Sequence, residues 1–158
     1  MDVQSIFGLQ FLLSLVVWSV IFGFLLSPWL AKQPRHEALL LLSLPHAFRH
    51  VGLVFLVPGV VDQPLPTSFA DPAAYGDLGA GLLALVAIIA LRSRWSVALA
   101  LVWLFNIVGT VDLANALRHV DVAPRFGAAW YIPTMLVPLL LVTHFLIFKR
   151  LLAPGNEG

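Results

Sequence analysis

The sequence predicts an all-α integral membrane bundle of five transmembrane helices, with the N-terminus outside and the C-terminus cytoplasmic. Three observations lead to this fold class. The chain of 158 residues is 60% hydrophobic and 11% charged, against about 45–50% apolar and about 25% charged residues in soluble domains. Five runs reach the roughly 20 apolar residues that a helix needs to cross a bilayer. The basic residues then sort into alternate connections, as they do when short loops face the cytoplasm. The length suits a single transmembrane domain over residues 1–158.

The first span is expected over residues 6–30. It follows Met1-Asp2-Val3-Gln4, which lacks the positive region of a signal peptide, and it is too long for a signal core, so it reads as a retained span. Its polar residues Gln10, Ser14, Trp18 and Ser19 read as packing groups. The second span, 37–61, carries Pro45, which removes one helical hydrogen bond and frees a carbonyl near Leu41. An external loop from Asp62 to Asp71 follows. The third span, 72–91, takes Asp71 as its N-cap and Pro72 as its first helical residue. Gly76, Gly79, Ala80, Gly81 and Ala84 give it a close-packing face. The fourth span, 95–118, contains Gly109, and the fifth, 127–148, is bent at Pro133 and Pro138. The tail from Ala153 to Gly158 is expected to fray.

Five spans put Lys32, Arg35, Arg92, Arg94, Lys149 and Arg150 on one side. The opposite side receives Asp2, Asp62, Asp71, Asp77 and Asp121, with Arg118 and Arg125. Trp29, Tyr75, Trp95, Trp130 and Tyr131 fall near span ends, where interfacial anchors belong.

Polar residues interrupt this apolar background. His46, Arg49 and His50 stand at i, i+3 and i+4, which places them on one face of an α-helix. From the inner end, His46 lies about 14 Å deep and His50 about 20 Å. Ionisable groups at such depth cost several kcal/mol unless they face protein or water, so they mark functional sites. Arg49 cannot give up its proton and needs a counter-charge. Asp112 is the one acid expected inside a span away from its ends, and an Arg49–Asp112 pair follows. Asp112 and Asn115 share a face with His119, whereas Asn106 and Thr110 lie on another, so the fourth span should touch two neighbours. His144, in the fifth span, can reach His46.

These positions define an expected cavity lined by His46, Arg49, His50, Asn106, Thr110, Asp112, Asn115 and His144. It would bind a small or anionic ligand, or pass protons or ions. A second reading is a membrane enzyme acting on a lipid or isoprenoid, with His46 or His50 as catalytic acid or base. A third is an accessory or assembly subunit whose polar residues join helices. A fourth is haem b held between His46 and His144. No metal site is expected, because Arg49 beside the imidazoles repels a cation. The absence of cysteine excludes thiolate chemistry, and a net charge of +1 without a basic tail argues against nucleic acid. The expected partners are the bilayer, a second copy of the chain, or a membrane subunit.

The segments Pro45-His46-Ala47-Phe48-Arg49-His50-Val51-Gly52-Leu53 and Phe105-Asn106-Ile107-Val108-Gly109-Thr110-Val111-Asp112-Leu113-Ala114-Asn115 carry a resemblance. In them the chain resembles small polytopic inner-membrane proteins of bacteria. The resemblance implies a location in the bacterial inner membrane and no particular activity.

Overall fold

A computed structural model describes residues 1–62 and 65–153. Five helices are long and apolar enough to cross a membrane: α1 Val3–Ala31, α2 Arg35–Leu56, α3 Thr67–Arg92, α4 Ala98–Arg125 and α5 Gly127–Leu152. No strand occurs among the described residues.

Asp2 caps α1 by accepting from the Ser5 N–H at 2.7 Å, and this bond lowers the pKa of its carboxyl group. Only 6% of the most apolar window of α1 is buried, so this helix leans on the bundle from one side. It is pinned there by Trp18, which donates to the Met135 carbonyl at 3.1 Å, and by Gln10, which accepts from Trp130 at 2.5 Å. Gln10 and Trp18 are thus specific ties between α1 and α5.

The second helix changes character at Pro45. It is α-helical over Arg35–Ser43 and a 3-10 helix over Leu44–Leu56. The Leu41 carbonyl, which Pro45 would have left without a donor, accepts from the Leu44 N–H instead. The helix ends at Leu56, five residues before the expected end at 61. Val57 precedes Pro58 and is extended (φ −93°, ψ 113°), and Gly59 turns the chain at φ +85°.

The third helix begins at Thr67, five residues earlier than expected, with Pro72 inside it. The Pro66 carbonyl accepts from Phe69 and Ala70, both at 2.9 Å, and both side chains are buried. Burial of Phe69 against Phe55 and Phe126 outweighs the one hydrogen bond that Pro72 removes. The expected external loop is therefore shorter than Asp62 to Asp71; its Gln63 and Pro64 lie outside the described residues. So does the expected fraying of residues 154–158. The buried stripe Ala70, Ala73, Ala74, Asp77, Ala80, Gly81, Ala84 brings α3 close to α2 and α4. This makes α3, not α4 alone, a central helix.

At one end of the bundle, Arg35 donates to the Leu151 carbonyl at 2.6 Å, Arg150 donates to the Leu30 carbonyl, and Arg94 approaches Glu37 at 3.7 Å. We call this the basic end. At the acidic end, the Asp62 N–H bonds the Arg125 carbonyl at 2.9 Å, and Ala128 bonds Val60 at 2.8 Å. Toward the basic end, Leu39, Leu42, Ala84, Ala87, Val102 and Phe105 belong to one apolar core. A second core, built on Phe7, Phe55, Phe69 and Phe126, fills the acidic end. Between them lies a layer of polar side chains.

Candidate functional site

The 3-10 segment sets the geometry of this layer. With three residues per turn, positions i and i+3 eclipse one another. His46, Arg49, Gly52 and Phe55 are accordingly the buried residues of Leu44–Leu56. His50 falls about a third of a turn away and is exposed, its Nδ1 beside the Ala47 carbonyl at 3.0 Å. The expectation that His46, Arg49 and His50 share a face held for an α-helix; the 3-10 winding turns His50 out.

Arg49 is the largest fully buried side chain, 1% exposed. Its Nη2 donates to Asp112 Oδ2 at 2.5 Å, the contact expected from the sequence. Its Nε donates to Asp77 Oδ1 at 2.8 Å. Asp77 was expected on the outer side near the start of the third span; instead it lies two to three turns inside α3 and is buried. Arg49 Nη1 donates to the Gly109 carbonyl at 3.1 Å and faces His144 Nε2 at 3.5 Å. One guanidinium is thus shared by two carboxylates, from α3 and α4.

Three glycines make room for this cluster. A Cβ on Gly52 would overlap the Asp77 carboxylate, and one on Gly76 would overlap that of Asp112. At Gly109 it would come within 2.7 Å of Arg49 Nη1 and 2.8 Å of His144 Cε1. The run 46, 49, 52 at a spacing of three was the sequence signal for Gly52. The stripe of small residues passing through position 77 was the signal for Asp77.

A hydrogen-bonded set extends from Arg49 toward the basic end. His144 Nδ1 lies 2.6 Å from Asn106 Oδ1, and Asn106 Nδ2 donates to the His144 carbonyl at 3.4 Å. An amide oxygen only accepts, so His144 carries its proton on Nδ1 and offers the Nε2 lone pair to Arg49. Thr143 Oγ1 donates to the Leu139 and Leu140 carbonyls at 3.0 and 3.1 Å, which makes it an acceptor from His46 Nε2 at 2.9 Å. His46 Nδ1 is then a lone pair, buried and without a hydrogen-bond partner. The two imidazole rings pack with centroids 4.1 Å apart. Two axial imidazoles on one haem iron would each bind through a nitrogen at about 2 Å, with ring centroids about 6 Å apart on opposite sides of the metal, so this pair does not suit the haem reading.

The remaining candidates lie at the margin. Thr110 is half-buried and donates to the Asn106 carbonyl at 2.7 Å, and Asn115 is exposed. His119, where α4 departs from helical geometry (φ −107°, ψ 41°), lies 6.0 Å from the Phe69 ring. No grouping of three or more His, Asp or Glu suited to a metal ion occurs among the described residues.

A cavity reaches from the two carboxylates toward the acidic end. Asp77 and Asp112 border it, with Phe55, Phe69, Phe126 and His119. Its volume is about 40 Å³, room for about three or four waters at roughly 10–15 Å³ each.

The family model described as Domain of unknown function (DUF8737) matches residues 6–152, so the chain belongs to that family. No curated protein and no solved structure matches it.

Proposed function

We propose that this is a multi-pass inner-membrane protein that takes up and passes a proton at the Arg49, Asp77 and Asp112 centre. One observation carries the reading: two carboxylates compete for one guanidinium at the floor of a cavity wide enough for water. With both ionised, the centre holds one negative charge in excess. An uncompensated charge away from bulk water is unfavourable, and a proton from the cavity is the smallest compensation. Four of the five Arg49 N–H groups already have partners. That favours a proton over the anionic ligand that Arg49 alone suggested. Beyond the carboxylates, the free Nδ1 of His46, whose ring packs on that of His144, offers a further acceptor toward the basic end. His46 and His50 do not border the cavity, which favours proton passage over acid–base chemistry on a lipid.

Proteoliposomes loaded with a pH-sensitive dye and given a potassium-diffusion potential test the proposal. The wild-type protein is expected to acidify or alkalinise the lumen in step with the potential. Asp77→Asn and Asp112→Asn are expected to abolish that flux, and His50→Leu to leave it unchanged. Flux no faster than in empty liposomes, or flux indifferent to both aspartate substitutions, would refute it.

A further inference from the structure

We infer a binding groove for one anionic phospholipid between α1 and α5, at the basic end of the bundle. Two adjoining cavities form it, sharing Ser27, Leu146 and Lys149. The smaller, about 170 Å³, is bordered by the Lys149 and Arg150 side chains. The larger, about 560 Å³, is bordered mainly by apolar groups, among them Leu15, Phe22 and Phe145. The larger falls in the roughly 300–1,000 Å³ range of small-molecule sites, and the smaller adjoins it. A cationic compartment joined to an apolar one matches an amphiphile with an anionic head.

Length and polarity fit the same occupant. Leu15 to Ser27 along α1 spans about 18 Å at 1.5 Å per residue. Half of a bilayer's hydrocarbon core is about 15 Å, so the groove runs one leaflet deep. Its head compartment lies where Lys32, Arg35, Arg92 and Arg94 also gather, the end expected to meet the anionic cytoplasmic leaflet. The Lys149 ammonium has no hydrogen bond or ion pair among the described residues, and neither do the hydroxyls of Ser19 and Ser27. Arg150 is tied to the Leu30 carbonyl and stays at the rim. Where it borders the groove, α1 winds as a π-helix over Ile21–Leu26, with Gly23 facing open space. Single π turns recur at functional sites.

The test uses the purified full-length protein in detergent, with phosphatidylglycerol and phosphatidylcholine of identical acyl chains, and counts retained lipid by native mass spectrometry. Retention of phosphatidylglycerol over phosphatidylcholine is expected. Lys149→Ala should reduce that preference about fivefold, the scale of one lysine at an anionic surface. Gly23→Leu should displace both lipids, because Gly23 borders the groove and a Cβ there already projects into open space. Gly8→Leu, where the Cβ position is likewise open but at the other end of α1, should change nothing and reports on folding. Equal retention of the two lipids, or wild-type retention by both Lys149→Ala and Gly23→Leu, overturns the inference. So does a lipid-free dimer that Gly23→Leu dissociates, since a second copy would then fill the groove. None of these outcomes depends on proton passage.

Discussion

At the scale of single residues, the sharing of Arg49 by two carboxylates changes what substitutions should do. A lone Arg49–Asp112 pair would make Asp112→Asn damaging. With Asp77 also in contact, Asp112→Asn leaves a balanced pair and should keep near wild-type folded yield. The double substitution Asp77→Asn with Asp112→Asn strands the guanidinium and should destabilise by about 3–5 kcal/mol. Arg49→Ala should destabilise comparably, whereas Arg94→Ala, removing an exposed 3.7 Å contact, should fall within about 1 kcal/mol. Thermal unfolding of the detergent-solubilised variants, followed by size-exclusion fluorescence, checks these values. Single aspartate changes as damaging as the double would contradict the shared arrangement. The Arg49–Asp112 contact was legible in the sequence because a charge within an apolar run demands a partner. Asp77 was not, because Pro72 read as the helix start and left Asp77 too near the surface to count as buried.

At the scale of the element, the decisive feature is the winding of α2. A 3.6-residue period puts His50 beside His46; a three-residue period puts Gly52 there. Pro45 announced a break, but a proline does not specify that the chain continues as a 3-10 helix to Leu56. His50→Leu should therefore be tolerated, while His46→Leu, which leaves Thr143 Oγ1 without its donor, should lower stability by about 1–3 kcal/mol. Glycines make a second test. Gly52→Ala and Gly76→Ala drive a methyl group into Asp77 and Asp112 and should each destabilise by about 1–3 kcal/mol. Gly23→Ala meets open space and should be neutral or mildly stabilising. A stable Gly52→Ala protein would mean that α2 does not approach α3 so closely.

At the scale of the whole molecule, five apolar runs made the helix count legible, since it follows from hydrophobic length. The stoichiometry of the polar layer was not legible, because it depends on which faces of α2, α3 and α4 meet. Orientation in the membrane has a direct check in a chain without cysteine. A Cys introduced at the exposed Ser93 position should react with an impermeant maleimide only from the cytoplasmic side, and one at Asp121 only from outside. The opposite pattern would invert the path by which protons reach the cavity. The most direct test of the central claim is infrared difference spectroscopy of the reconstituted protein as the medium is acidified. A protonated-carboxyl C=O band that is lost in Asp77→Asn or Asp112→Asn is the expected result. A wild-type spectrum without such a band, or a band that survives both substitutions, would contradict an exchangeable proton at this centre.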